Sequence, residues 1–198
     1  ILRMITLIEI PSLMISYTVL FIALISSMYG VLYALAQHDL KKLLAYHSIE
    51  NIGIIGLGIG CGMLGLAYNI PILTISGFLG ALLHTLNHSI FKGLLFYSAG
   101  TVYIKTHTKN IEELGGLFKK MPISALCFLV GAIAICGLPP FNGFISEILI
   151  YFSMLKGMLT HNLTLFLSLI FSLAGLAFVG VMAILCFTKA FSIVFLGT

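Results

Sequence analysis

The sequence predicts an all-α integral membrane protein with about five transmembrane helices, one of them broken between Gly137 and Gly143. Three observations carry this expectation. Of 198 residues, 60% are hydrophobic and only 8% are charged, against roughly 25% charged in a typical soluble domain. The charges are also bunched: stretches 10–38, 51–91, 121–146 and 157–188 hold no Asp, Glu, Lys or Arg, and each exceeds the ~20 residues that cross a hydrocarbon core of about 30 Å. The 20 glycines and a mean hydropathy of +1.16 suit packed transmembrane helices, in which small residues let backbones approach closely. A soluble enzyme, a nucleic-acid binder and a disordered tail are excluded.

Taken in order, the first span is expected over 12–36, ended by the polar run Gln37-His38-Asp39 and the pair Lys41-Lys42. The second covers 43–66, and the turn residues Asn69-Ile70-Pro71 leave almost no distance before the third, 72–104. That third span is too long for an upright crossing, so its last turns should project or the helix should tilt. A charged segment, 105–120, with Lys105, Lys109, Glu112, Glu113, Lys119 and Lys120, reads as a solvated loop. The fourth span, 122–157, is interrupted by Gly137-Leu138-Pro139-Pro140-Phe141-Asn142-Gly143. There two prolines delete backbone donors and two glycines are expected to loosen the chain. Unsatisfied backbone groups in lipid cost several kcal/mol each, so such a break belongs in a protein interior or a hydrated cavity. The fifth span covers 162–196.

Five passes put the connections after the first and third spans on one side with most of the lysines, and leave Arg3, Lys156 and His161 on the other. Positive charge favours the cytoplasm, so the lysine-rich loops are expected there, with the amino terminus outside. The chain opens Ile1-Leu2-Arg3 with no initiator Met and no evident secretory signal, and reads as a fragment. The cysteines Cys61, Cys127, Cys136 and Cys186 form no C-x-x-C pair, so neither zinc nor an iron–sulfur cluster is spelled and no redox site is expected in this chain.

Ionisable residues inside apolar spans are the candidate functional groups. His84, His88 and Lys92 recur every four residues, a spacing that turns only about 40° per step and aligns three side chains over about 12 Å of one helix face. Two imidazoles leading to a desolvated amine read as a proton relay, with a polar packing cluster as the alternative. Two histidines on one face also suit a metal or a haem, but further ligands are not evident, and no metal or cofactor is expected. Glu147 follows the break by four residues, where helix amide dipoles favour an anion and desolvation favours the neutral acid. His47 and Glu50 share a face shortly after Lys42 and are expected as a shallow pair near the interface. They could serve as a proton entrance together with Lys41 and Lys42, which otherwise set topology.

Three motifs in register resemble a known family: Asp39-Leu-Lys-Lys-Leu-Leu-Ala-Tyr-His-Ser-Ile-Glu-Asn-Ile-Gly53, then His84-x3-His88-x3-Lys92, then Gly137-Leu-Pro-Pro-Phe-Asn-Gly-Phe-Ile-Ser-Glu147. They are similar to the antiporter-like subunits of respiratory complex I and its relatives, and most like the large membrane subunit of membrane-bound nickel–iron hydrogenases, the hydrogenase-4 component B and formate hydrogenlyase subunit 3 group. The resemblance implies a fold of two inverted repeats, each with a broken helix, of which this chain is the second half. It implies His84, His88 and Lys92 as the central relay and Glu147 as the terminal site. Related subunits often carry lysine at the position of Glu147. It further implies partners in other membrane subunits of a respiratory or hydrogenase complex and a peripheral electron-transfer arm, with lipid around them, in a prokaryotic inner membrane. Redox chemistry would belong to those partners, and this chain would translocate protons. A cation/proton antiporter exchanging Na⁺, or a non-pumping structural subunit, are the alternatives.

Overall fold

The computed structural model describes residues 12–160 and 162–197. Arg3 and His161, which bear on the expected orientation, lie outside the described residues. The described chain is helical, its sole β feature being an isolated antiparallel bridge between Asp39 and Asn110. The long helices are α1 (Leu13–Leu35), α2 (Leu40–Ala67) and α3 (Pro71–Thr106). After a 3-10 turn (Ile111–Glu113) come the single-turn helix α4 (Leu117–Lys120), α5 (Pro122–Ile135), α6 (Asn142–Gly157) and α7 (Leu163–Phe191), whose end runs on as a π-turn over Ser192–Leu196.

Local chemistry places the helix ends. Ser12 caps α1 through Ile15 N–H at 3.3 Å, and Asn162 caps α7 through Leu165 N–H at 3.0 Å. Asp39 caps α2 by accepting from Lys41 N–H (2.8 Å) and Lys42 N–H (3.1 Å), which is why α2 begins at Leu40, ahead of the expected residue 43. At the far end of α2, Asn69 takes a left-handed conformation (φ 55°), Ile70 N–H returns to Gly65 C=O at 2.8 Å and Asn69 N–H to Leu66 C=O at 3.3 Å. This pair of bonds reuses the last carbonyls of α2 and lets Pro71 start α3 at once.

The interior is organised around α2, which packs against α1, α3, α6 and α7. Glycine makes this possible. A Cβ on Gly60 would sit 2.9 Å from Leu20 Cα of α1, and one on Gly58 would sit 2.9 Å from Gly77 O of α3. The backbones therefore approach to distances that only small residues allow. Large apolar side chains on α1, α3 and α7, among them Ile22, Ile25, Leu86, Ile90, Phe171 and Leu185, remain exposed. Helices α1, α2 and the span Leu163–Leu196 are each long and apolar enough to cross a membrane. α3 carries too many polar groups to read that way alone, and α5 is cut short by the break.

The 105–120 segment differs from the expected solvated loop. Its charges face water, yet Ile111, Leu114 and Leu117 are buried, because an apolar residue at every third position pins the segment to the helix ends. Leu40 N–H donates to Lys109 C=O (2.9 Å) and Ile111 N–H to His38 C=O (2.8 Å), so this segment and the α1–α2 connection share one end of the bundle. Thr108 and Asn110 donate to the exposed Glu113 carboxylate at 2.6 and 3.1 Å and hold it below the usual carboxylate range.

Candidate functional site

The broken helix is closed by its own backbone. Gly137, in the left-handed region at φ 61°, donates to Ala134 C=O, and Leu138 N–H donates to Ile133 C=O, both at 3.3 Å. This is the six-to-one and five-to-two pairing that satisfies a helix C-terminus. The glycines, expected from sequence to loosen the chain, let other groups touch it. A Cβ on Gly137 would collide with the Glu147 carboxylate, and one on Gly143 would collide with the Ala134 carbonyl. Pro139 and Pro140 occupy the turn between the two helices. Glu147 thus folds back over the break and lines a cavity of about 280 Å³ with Cys136, Tyr151, Ala177 and Gly180.

His84 is fully buried on α3 and bonded on both sides of its ring: Nδ1 lies 2.9 Å from Ser146 Oγ on α6 and Nε2 lies 3.1 Å from Asn51 Oδ1 on α2. Asn51 is oriented by donating to His47 C=O at 2.8 Å, and Asn87, one turn after His84, donates to Asn142 C=O (2.8 Å) and to Ser146 Oγ (3.1 Å). Lys92 is 6% exposed. It donates to the Leu44 carbonyl of α2 and lies 5.6 Å from the Phe96 ring. His88 is half-buried, and its Nε2 is buried with no hydrogen-bond partner among the described residues. Phe91 packs edge-on against the rings of both His84 (6.2 Å) and His88 (5.6 Å). No direct hydrogen bond joins His84, His88 and Lys92. The row shares a helix, but its bonds run sideways to α2 and α6.

His47 and Glu50 do form a pair, and the protein closes over it. They are 0% and 1% exposed and bonded to each other through Nδ1 and a carboxylate oxygen. Phe187 of α7 stacks 4.5 Å from the His47 ring. Gly30 of α1 lies on the Glu50 backbone and closes the other side. Lys41 and Lys42 are not drawn into this cluster: Lys41 sits 4.3 Å over the Tyr103 ring and Lys42 is exposed.

Sequence reading missed Asn51, Asn87, Ser146 and Lys189. The three uncharged residues had one signal, an amide or hydroxyl inside a long apolar run, where a polar side chain needs a partner. Lys189, just past the last charge-free run, donates to Leu35 C=O of α1 at 3.1 Å. Among the described residues no group of three His, Cys, Asp or Glu gathers as a metal site, and the cysteines are unpaired.

A helical membrane bundle with a broken helix, a half-buried carboxylate beside the break and a lysine–histidine helix facing it is the arrangement of the antiporter-like class of membrane subunits. The chain belongs to the family described as NADH:quinone oxidoreductase/Mrp antiporter, TM, whose pattern matches residues 1–175. It is 45% identical over 179 residues to hydrogenase-4 component B of Escherichia coli (strain K12), and 44% identical over 180 residues to formate hydrogenlyase subunit 3 of the same strain. Both alignments cover 90% of this chain but only 27% and 29% of the relatives, so the chain spans under a third of their length. It is also 36% identical over 140 residues to a Na(+)/H(+) antiporter subunit of Bacillus subtilis (strain 168), covering 71% of this chain and 17% of that protein. Among solved structures it superposes on a chain of the archaeal membrane-bound sulfane sulfur reductase with TM-score 0.74 and 28% identity, covering 91% of this chain and 33% of that one. On a chain of respiratory complex I from Thermus thermophilus the values are 0.71 and 26%, covering 91% and 34%. It is a multi-pass membrane protein, an antiporter-like subunit of the complex I, Mrp and hydrogenase superfamily.

Proposed function

We propose that this chain carries the second inverted repeat of a proton-translocating subunit, working in a redox-driven complex of the hydrogenase or NADH–quinone type within a prokaryotic inner membrane. Its lysine-rich loops face the cytoplasm, and electron transfer occurs in partner subunits of a peripheral arm. The observation that carries this reading is the set of buried polar and ionisable side chains, His47, Glu50, Asn51, His84, Asn87, Lys92 and Ser146, shared by α2, α3 and α6. Groups as costly to bury as Lys92 and Glu50 are retained in membrane interiors where ions pass.

In this reading His84, His88 and Lys92 carry protons along α3, Glu147 exchanges them across the break, and His47 with Glu50 tunes both. Lys41 and Lys42 act at the approach from the loop side. Coulomb repulsion supplies the coupling. At an effective dielectric of about 20, two unit charges roughly 8 Å apart interact by about 2 kcal/mol, enough to shift a proton affinity more than tenfold. The closed end of α5 lets Glu147 meet the cavity beside it with the last carbonyls of α5 satisfied.

Proton uptake into inverted vesicles holding the full-length parent complex tests this, with electron transfer measured separately. Lys92→Ala and Glu147→Gln should each abolish pumping while the complex assembles, independently of Na⁺. Normal pumping in both variants overturns the relay. The 36% identity to a Na(+)/H(+) antiporter subunit supports a second reading, cation exchange at Glu147, in which the variants lose only Na⁺-dependent exchange.

A further inference from the structure

The bonds around His84 leave one hydrogen undetermined, and it belongs to Ser146. Asn51 gives its amide N–H to His47 C=O. Its carbonyl oxygen therefore faces His84 Nε2, and reversing the amide would set two acceptors against each other. Nε2 must then carry a hydrogen in every protonation state, and Nδ1 is the nitrogen that gains or loses one. Ser146 Oγ stands 2.9 Å from that Nδ1 and also 2.9 Å from Gly143 C=O in the first turn of α6, while Asn87 donates to it at 3.1 Å. With Asn87 filling one acceptor position, the single hydroxyl hydrogen can be given to Nδ1 or to the backbone, where Gly143 C=O at 2.9 Å is nearer than Asn142 C=O at 3.5 Å, but not to both.

We propose that Ser146 is a positioning residue that reports the proton state of His84 to the broken helix. When the imidazole is neutral, Ser146 O–H donates to Nδ1. When a proton arrives on Nδ1, the imidazolium donates to Oγ, and the hydroxyl turns to donate to Gly143 C=O. Ser146 keeps its own hydrogen throughout, and the one added charge resides on His84. Within the set His84, Asn51, Asn87 and Ser146, both arrangements give every donor an acceptor. Gly143 C=O is also the acceptor that α-helical spacing assigns to Glu147 N–H. Loading of His84 is therefore felt at the backbone turn that carries Glu147. The titratable groups facing this assembly are His88 and Lys92 on its own helix, His47 and Glu50 on α2, Glu147 on α6 and Cys136 at the end of α5.

This inference rests on the proton-relay reading, and the test separates the two. In the full-length parent complex in inverted vesicles, Ser146→Ala should lower pumping about tenfold and displace its pH profile by about one unit, with Ser146→Thr restoring both within about threefold. A purely structural defect would scale the rate evenly at every pH and overturns the switch. Wild-type pumping by Ser146→Ala, in a preparation where Lys92→Ala is inactive, overturns the switch and leaves the relay. Histidine ¹⁵N NMR of the wild-type full-length protein in lipid, with His84→Gln for assignment, decides the matter even where Ser146→Ala fails to assemble. The neutral His84 should carry its hydrogen on Nε2, and a hydrogen on Nδ1 instead overturns the proposal.

Discussion

Two glutamate–histidine pairs stand at opposite extremes of this molecule. His47 and Glu50 form theirs at 0% and 1% exposure between α1, α2 and α7, whereas His38 and Glu112 form theirs at 2.7 Å across two loops, with 60% and 63% of their side chains exposed. The chemistry is the same and the surroundings differ. Water and salt screen the loop pair to a fraction of a kcal/mol, while the buried pair has exchanged its hydration for one partner and cannot lose that partner cheaply. A charged motif is therefore weighed by what packs over it, and the spacing of His47 and Glu50 along α2 does not show what packs over them.

The largest expected effect tests that contrast directly. Glu50→Ala strips His47 Nδ1 of its partner in the interior and should cost about 3–5 kcal/mol, read as loss of the assembled subunit or a steep drop in its thermal midpoint in detergent. A change under about 1 kcal/mol would break the comparison. Next, Gly137→Ala puts a side chain at φ 61° and into the Glu147 carboxylate. The left-handed conformation alone costs about 1–2 kcal/mol, so stability and pumping should fall together, whereas Gly93→Ala, with open space around its Cβ, should change neither.

Smaller effects belong to the loop end. Glu112→Ala should shift stability by less than about 1 kcal/mol, and raising salt should erase the difference from wild type. The faintest signal is that of Glu113, whose carboxylate Thr108 and Asn110 hold below the usual range. A lowered folded value means a stabilising contribution that is complete above the ordinary carboxylate range and lost as pH falls through the folded value. The side-chain amide signal of Asn110 should follow that titration at acid pH, and Glu113→Gln should abolish it. Its persistence in the variant would show that another group governs the loop.

Most of the helical framework was legible in sequence because apolar runs, caps and breakers act locally. Asp39, Asn69-Ile70-Pro71 and the Gly-Pro break each act within a few residues of themselves. The His84, His88 and Lys92 spacing was equally plain. What they bond to was not: His84 finds Asn51 and Ser146, which lie 33 and 62 residues away in the chain, and nothing in the periodicity of α3 names those partners. The buried anchors Ile111, Leu114 and Leu117 were hidden among lysines and glutamates, whose charge made the whole segment read as solvent.

The sequence by itself determined that the chain is helical and suited to lipid, about where its long helices lie, and which ionisable residues lie within apolar spans. Only the tertiary structure decided which of those residues meet. Helix formation and membrane partitioning depend on residue type and on neighbours within a turn or two. The environment of a buried charge depends on the backbones that close over it, and here that closure is set by glycine contacts between α1, α2 and α3 and by a break that folds Glu147 back against Gly137.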